Sequence, residues 1–243
     1  MAPAGSGNGS DLTATAVIVA AGSGERLGAG GPKALVEVAG RPLYEWSLVA
    51  CDDAERVESI VIAVPPGEED SFEAPGATIV AGGPTRSDSV RNALERVTTD
   101  LVAIHDAARP LVTPEHFDAA ISTLAGSPGL DGVIVAAPVP DTVKAVEGAG
   151  RVTGTLDRSG LRLAQTPQVF RSAALRSALA AGDPGSATDD ASLVEENGGS
   201  VGVVELPLPN PKLTWPGDME VIEALFERSR GRVPDWKISG CGP

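Results

Sequence analysis

The stretch TAVIVAAGSGERLGAGGPKAL, residues 15 to 35, decides the fold. It begins with TAVIVA, a continuous apolar run that is typical of a strand covered on both faces of a parallel sheet. The glycine-rich part that follows cannot continue as a helix, because Gly-Ala-Gly-Gly has poor helix propensity and Pro32 comes directly after it. We therefore predict a buried strand that opens into a long loop, from about Ala21 to Lys33.

Beyond this stretch, strand patterns and helix patterns alternate along the chain. Further strands are predicted at SIVIAVP (59 to 65), ATIVAGG (77 to 83), DLVAIHD (100 to 106), DGVIVAAPV (131 to 139) and SVGVVELP (200 to 207). Helices are predicted at PLYEWSLVACDDA (42 to 54), SDSVRNALERV (87 to 97), PEHFDAAISTLA (114 to 125), TDDASLVEENGG (188 to 199) and DMEVIEALFERSR (218 to 230). This alternation predicts a Rossmann-like α/β fold, a mostly parallel central sheet with helices on both faces.

The alternation loosens in residues 141 to 170, where β-branched segments surround glycine-rich turns. This pattern predicts a β-hairpin or arm, inserted at about residues 141 to 160 of a single domain that spans residues 14 to 230. Residues 1 to 13 are interpreted as a disordered lead-in and residues 231 to 243 as a flexible tail. Since ligands of such sheets bind beyond the carboxyl ends of the strands, we look for functional residues there.

Composition narrows the possible partners. The chain has 243 residues and a formal net charge of -14, so its surface repels nucleic acid and anionic membranes, and neither is expected as a partner. No apolar run approaches the roughly 20 residues of a membrane-spanning helix. The two cysteines, Cys51 and Cys241, make neither a disulfide framework nor a zinc site, which favours a cytoplasmic protein. An anionic small ligand would need the few basic side chains to gather at one place.

The glycine-rich loop matches neither common nucleotide fingerprint. A phosphate-binding Walker loop needs Gly-Lys-Ser/Thr, but here Lys33 follows Pro32 and precedes Ala34. A dinucleotide fingerprint needs a third glycine where this chain has Leu27. The loop instead suits a triphosphate, with backbone N–H groups turned toward the ligand and Arg26 and Lys33 as two cations along it. An ordinary solvated loop is the alternative interpretation.

Six further motifs occur in an order that resembles one enzyme family. They are GGPTRSDSV (82 to 90), HDAARP (105 to 110), PVPDTVK (138 to 144), QTPQ (165 to 168), TDDASLVE (188 to 195) and KLT (212 to 214). Together with the loop they resemble the 2-C-methyl-D-erythritol 4-phosphate cytidylyltransferases of the non-mevalonate isoprenoid pathway, over about residues 14 to 228. The resemblance implies transfer of CMP from CTP to a polyol phosphate, a divalent cation such as Mg²⁺, and a homodimer formed through the arm.

The resemblance also implies roles for individual residues. It implies catalytic roles for Arg26, Lys33 and Lys212. The nucleotide-binding residues it implies are Ala20, Ala21, Gly22, Ser23, Gly24, Gly82, Gly83, Ser89 and Ala107. The substrate-binding residues it implies are Asp106, Arg109, Thr142, Arg158 and Thr166, with Arg158 reaching into the site of the twin subunit. Lys144 in the arm is either a further contact or a stray surface charge.

Some of these residues also have simpler interpretations. Asp106 is placed to hold a divalent cation, since Mg²⁺ prefers carboxylate oxygen; the alternative interpretation is a turn residue paired with Arg109. Ser87 or Asp88 is expected to cap the helix after the GGPTRSDSV motif, and Thr188 the helix of TDDASLVE, whose Asp189 and Asp190 favour a helix N-terminus. His105 has apolar neighbours, which favours a packing role over catalysis.

One departure from the family pattern affects the metal. The family often has an acidic residue shortly before the lysine of KLT, where this chain has Pro207, Leu208, Pro209 and Asn210. Metal binding is therefore expected to depend on Asp106 alone.

Three other functions remain open from the sequence. A sister enzyme could use another polyol phosphate, such as ribitol 5-phosphate, with the same loop and cations. An NAD-dependent oxidoreductase is disfavoured by the glycine spacing and by Pro32. A catalytically inactive nucleotide-binding module is favoured only by the missing acid before Lys212.

Overall fold

A computed structural model describes residues 12–24, 31–182 and 188–229 of the chain. Its strands are β1 Ala14–Val19, β2 Glu37–Val38, β3 Arg41–Pro42, β4 Val57–Val64, β5 Ala77–Ala81, β6 Leu101–Asp106, β7 Gly132–Pro138, β8 Lys144–Glu147, β9 Arg151–Thr155, β10 Arg162–Arg171 and β11 Val201–Glu205. Its α-helices are α1 Leu43–Asp52, α2 Arg86–Leu94, α3 Pro114–Ala125, α4 Ser172–Ala181, α5 Asp190–Glu196 and α6 Asp218–Ser229. Most of the elements expected from the sequence are present.

The centre of the fold is a seven-stranded sheet in the order β11-β7-β10-β6-β1-β4-β5. Strand β1 pairs in parallel with β4 on one side and with β6 on the other. Strands β5 and β11 continue the parallel pairing at the two edges. Only β10 runs antiparallel, between β6 and β7. The prediction of a mostly parallel central sheet is confirmed.

Helices cover both faces of the sheet, also as predicted. Because successive side chains of a strand point to opposite faces, Ile18 of β1 packs with the core that includes residues of α1 and α3. Its neighbour Val17 packs instead with residues of α2, α4 and α5. This double burial explains why β1 is apolar at almost every position. Helix α6 lies in a third cluster, in which Ile222 and Phe226 pack with Val38 and Leu43.

The region after β7 differs in part from its prediction. The hairpin of β8 and β9 lies within the predicted arm and forms a separate two-stranded sheet, whereas residues 162 to 171 become β10, a strand inside the central sheet. The sequence pattern did not indicate this strand. Its first half is exposed and only its second half is buried, so the run of apolar residues is short. Helix α4, with its run of alanines, was not predicted either.

Two helix caps also differ from their predictions. Thr85 caps α2, accepting a hydrogen bond from the Asp88 backbone N–H, while Asp88 bonds back to the Thr85 N–H. In α5 the cap is Asp189, whose side chain accepts from the Ser192 backbone N–H, and not Thr188. In both helices the capping residue is the one whose side-chain oxygen reaches the free N–H three residues later.

The lead-in and tail lie mostly outside the described residues, and so does Cys241. Cys51 is buried in the core as a free thiol. None of the helices in the described part of the chain has both the length and the apolar character needed to span a membrane.

Acidification should destabilise the fold through His116. Its ring is fully buried, its Nδ1 lies 3.1 Å from the Thr113 backbone N–H, and burial lowers the pKa of His116 to about 4. The unfolded chain therefore takes up this proton first, at its ordinary pKa of about 6.5. Between about pH 7 and pH 5.5, the free energy of unfolding should fall by about 1 kcal/mol on account of this group.

The measurement is urea unfolding of the native chain and of His116→Gln at both pH values. Glutamine offers an uncharged acceptor to Thr113 but does not titrate, so the variant should lose that part of the pH dependence. Equal pH dependence in the two proteins would contradict a neutral His116 in the folded state.

Candidate active site

Four segments meet at the carboxyl edge of the central sheet. Three of them follow β1, β5 and β6 directly, and the fourth, residues 212 to 214, lies between β11 and α6. Parallel strands bring their carboxyl ends to the same edge, which is why these segments lie together. They line a cleft of about 630 Å³ whose walls include Lys33, Arg86, Asp106 and Lys212.

Backbone hydrogen bonds hold the segments in place. The Ala107 N–H donates to the Val19 carbonyl over 3.1 Å, which ties the loop after β6 to the end of β1. The Leu213 N–H donates to the Ala108 carbonyl over 2.8 Å, and the Lys33 ammonium donates to the Leu213 carbonyl. Two main-chain hydrogen bonds and one hydrogen bond from the Lys33 side chain therefore join the segments that form the cleft.

The described part of the glycine-rich loop forms one wall of the cleft. Ala20, Ala21, Gly22, Ser23 and Gly24 all line it, together with Lys33. The Lys33 N–H donates to the Gly22 carbonyl over 3.1 Å, and Lys33 begins a short 3-10 helix rather than an α-helix. Gly24 has φ +72°, a conformation that favours glycine. Arg26 lies outside the described residues.

The loop after β5 packs tightly against the loop after β1. A Cβ added to Gly82 would lie 2.6 Å from the Ala21 Cβ and 2.8 Å from the Ser89 Oγ. Gly83 is equally constrained, because its added Cβ would lie 2.4 Å from that of Asp88. The Ser89 hydroxyl accepts a hydrogen bond from the Gly83 N–H and donates one to the Thr85 carbonyl, and both donor–acceptor distances are 3.0 Å. Ser89 thus shapes the loop that we predicted would read a base.

Acidic and basic side chains alternate along the wall of the cleft that faces the glycine-rich loops. The Asp106 carboxylate accepts from Arg86 Nε over 3.0 Å and from Lys212 Nζ over 2.6 Å. Arg86 Nη1 also donates to the buried carboxylate of Asp190 over 2.7 Å. Burial alone would raise the pKa of Asp106, but Arg86 and Lys212 outweigh it and hold that pKa below its ordinary range. Asp106 is therefore an anion in the cleft at any pH near neutral.

Arg109 and Thr166 lie behind this wall. Arg109 donates to the Asn210 carbonyl over 2.8 Å, and burial lowers the pKa of its guanidinium. The Thr166 hydroxyl, 4% exposed, accepts from the Asp106 N–H over 3.1 Å and lies 3.0 Å from His105 Nδ1. The two residues support the walls of the cleft in this conformation, whereas Ala107 lines the cleft.

His105 packs in the core, as expected from its apolar neighbours. Its ring lies 5.5 Å from that of Phe117, and burial lowers the pKa of His105 to about 3. The ring is therefore neutral near pH 7.

The arm residues do not reach the cleft of their own chain. Thr142 and Arg158 are exposed, and neither lines the cleft. Arg158 donates to the Pro140 carbonyl, and Lys144 donates to Thr155 Oγ1 over 2.6 Å, within the arm. Within one chain, the structure leaves these predicted substrate contacts apart from the others.

The structure adds two site residues that were not singled out from the sequence. Arg86 was visible as the arginine of GGPTRSDSV, but nothing local indicates that it faces Asp106. Asp190 was interpreted only as a helix-start residue, since its partner Arg86 lies 104 positions away.

Comparison with known proteins agrees on one family. The family model of the 2-C-methyl-D-erythritol 4-phosphate cytidylyltransferases matches residues 14–228. A protein of that name from Frankia casuarinae is 43% identical over 219 residues, covering 88% of this chain and 81% of the relative. One from Aquifex aeolicus is 42% identical over 217 residues, covering 87% of this chain and 97% of the relative. The crystal structure of the Thermus thermophilus enzyme superimposes with a TM-score of 0.70 at 36% identity, covering 87% and 98% of the two chains.

A Cβ at position 82 should damage the cleft without unfolding the protein. In Gly82→Ala the two loops must separate, because the new methyl group would overlap Ala21 and Ser89. Overpacking of this kind costs about 1–3 kcal/mol. Because CTP, the nucleotide that the sequence predicts, is expected to need the native arrangement of the two loops, its affinity should fall about 5- to 150-fold.

Isothermal titration with CTP measures this effect. Gly129→Ala is the matched control, because a Cβ there meets nothing within 4 Å. Unchanged CTP affinity in Gly82→Ala would mean that the loop after β5 does not bind the nucleotide.

Proposed function

The chain belongs to the 2-C-methyl-D-erythritol 4-phosphate cytidylyltransferase family, and we propose that the cleft at the carboxyl edge of its central sheet is where the family reaction takes place. The protein is a nucleotidyltransferase that transfers CMP from CTP to 2-C-methyl-D-erythritol 4-phosphate, a step of isoprenoid precursor synthesis. The observation that carries the location is the convergence of Lys33, Arg86 and Lys212 with two glycine-rich loops on one cleft.

The reaction needs alignment and positive charge more than a base. An oxygen of the acceptor phosphate attacks the α-phosphorus of CTP, the bond from that phosphorus to the bridging oxygen breaks, and pyrophosphate leaves. The attacking oxygen already belongs to an anion, so no general base has to take a proton from it. Both histidines of the chain are buried and neutral near pH 7, which agrees with this requirement.

We assign the two ends of CTP to different walls. The base and ribose lie against Gly83, whose missing side chain allows close approach, and against Ser89 at the start of α2. Gly82 does not line the cleft but packs against Ala21 and Ser89. The triphosphate lies along Ala20 to Gly24, with Lys33, Lys212 and, by resemblance, Arg26 supplying countercharge. Fixed cations that stabilise charge growing on the α-phosphate and on the leaving group lower the barrier at no reorganisation cost.

A divalent cation fits one carboxylate of this site. Asp106 lines the cleft, and the described residues contain no group of three or more His, Cys, Asp or Glu that could form a complete metal cage. Mg²⁺ commonly binds nucleotide enzymes through one or two carboxylates together with substrate phosphates, so Asp106 alone suffices. Bound with CTP, the ion would supply further neutralisation of phosphate charge. Asp106, held by Arg86 and Lys212, would be its protein ligand.

We further propose that two chains pair through the arm. Val146, Val152 and Leu156 are 61%, 57% and 47% exposed, which is much apolar surface for a hairpin that joins no other sheet. A two-stranded hairpin is marginally stable by itself in water, and contact with a second chain would bury this exposed apolar surface. Pairing would also allow Thr142 and Arg158, which lie away from their own cleft, to complete the acceptor site of the partner. A cytoplasmic location is proposed too, in keeping with the free thiol of Cys51.

Loss of Lys33 should abolish most of the activity while leaving the fold intact. In Lys33→Ala a fixed cation is missing from the phosphate wall, and removal of one such group typically lowers kcat about 100- to 1000-fold. Pyrophosphate release from CTP, Mg²⁺ and 2-C-methyl-D-erythritol 4-phosphate measures the rate. Arg96→Ala, which removes an exposed cation in the turn after α2, is the charge-matched control and should stay near the native rate. Near-native turnover by Lys33→Ala would contradict the proposal that the triphosphate of CTP binds beside Lys33 in this cleft.

Mixed dimers should test the arm. If Arg158 acts on the partner's site, Lys33→Ala and Arg158→Ala chains are each inactive as homodimers, but a heterodimer contains one site with both native residues. Co-expression with two affinity tags and purification of the heterodimer should recover up to about half of the native activity per dimer. Absence of recovery, with heterodimer formation confirmed by both tags, would argue that each site is built within one chain.

A further inference from the structure

Asp190 is a buried carboxylate that its own helix does not use. It is the first residue of α5 and is fully buried, yet the cap of that helix is its neighbour Asp189. One oxygen of Asp190 accepts from Arg86 over 2.7 Å. The other, Oδ1, has no hydrogen-bond partner within the described segments of the chain. The only polar contact of this carboxylate found there is directed toward the cleft.

The position of Asp190 is fixed by the sheet. Gln168 of β10 donates to Asp189 Oδ2 over 2.8 Å and accepts from the Ala191 N–H over 3.2 Å, on either side of Asp190. The first turn of α5 is thereby attached to a central strand. A carboxylate held in this way can act as a fixed anchor for a long side chain.

Arg86 links the buried carboxylate of Asp190 to the cleft. Its guanidinium uses Nη1 for Asp190 and Nε for Asp106, so the planar group is held from two directions. The second oxygen of Asp106 then holds the Lys212 ammonium at 2.6 Å. Four alternating charges thus run from a fully buried anchor to a cation that lines the cleft, and the two positive charges balance the two negative ones.

Stability is a weak reason for this arrangement. A buried ion pair often contributes no more to stability than well-packed apolar side chains would, because both charges lose their hydration. Without Asp190, Arg86 would have Asp106 as its one remaining carboxylate partner in this network and would compete with Lys212 for it. The arrangement instead divides the carboxylates so that Asp106 can hold Lys212 in one orientation.

We propose that Asp190 is a positioning residue for cytidylyl transfer: through Arg86 it sets the orientation of Asp106 and, with it, the place of Lys212 in the cleft. This inference rests on the proposed assignment of the cleft to the reaction. It adds to that assignment a residue that touches neither substrate.

The test is Asp190→Asn, which keeps the shape of the side chain but removes its charge. Misplacement of a reacting group by about 1 Å costs about 100-fold in rate, so we expect kcat to fall about 10- to 100-fold while the KM for CTP changes less than about threefold. Ser192→Ala is the matched control, because it removes the Ser192 hydroxyl from the cap of the same helix and leaves both Gln168 contacts and Arg86 in place. It should lower the thermal unfolding temperature but leave kcat within about threefold of native.

A double-mutant cycle with Arg86→Gln separates the route from a general loss of structure. If Asp190 acts through Arg86, the Asp190→Asn/Arg86→Gln double variant is no slower than Arg86→Gln alone. The cycle also decides the matter if Asp190→Asn is itself unstable, since the double variant no longer leaves a buried guanidinium short of a partner. Additive losses, or an equal loss of kcat in Ser192→Ala, would overturn the proposal.

Lys212→Ala distinguishes failure of this inference from failure of the assignment. Slow turnover by Lys212→Ala with native turnover by Asp190→Asn overturns the role of Asp190 alone. Native turnover by both variants overturns the assignment of the cleft as well. Native turnover by Lys212→Ala with slow turnover by Asp190→Asn overturns the route through Lys212.

Discussion

The parallel pairing of β1 with β4 and β6 is the constraint on which the site depends. Because all three strands point the same way, the loops that follow β1 and β6 emerge at one edge, where the Ala107 N–H bonds to the Val19 carbonyl. The apolar side chains of β1 pack on both faces of the sheet and so hold the carboxyl end of β1 in place at that edge. The described part of the glycine-rich loop can therefore form a stable wall of the cleft.

The basic residues that line the cleft contrast with the negative net charge of the chain. The chain carries a formal net charge of -14, yet the cleft gathers Lys33, Arg86 and Lys212. Asp106 and Asp190 do not cancel this gathering, because they hold two of the cations in fixed places rather than leaving them to solvent. In the reaction that we propose for this cleft, an anionic substrate would meet countercharge that is already oriented, and no general base would be needed.

Where the prediction of the fold failed, the cause was context that the local sequence does not carry. Strand β10 is half exposed along its length, so its pattern resembled a loose arm, although it lies between β6 and β7. The cap of α5 lies one residue from its predicted place and the cap of α2 two or three residues away, because several neighbouring residues could cap and only the path of the backbone selects one.

The sequence by itself determined the parallel α/β fold, the glycine-rich loop and the family, because apolar periodicity, glycine spacing and the order of motifs are local properties. It also identified Lys33, Asp106 and Lys212 as residues to examine. Only the tertiary structure brought Asp106 to Lys212, 106 positions away, and Arg86 to Asp190, 104 positions away. Pairing over such distances depends on how strands are ordered in a sheet, and no short-range pattern encodes that order.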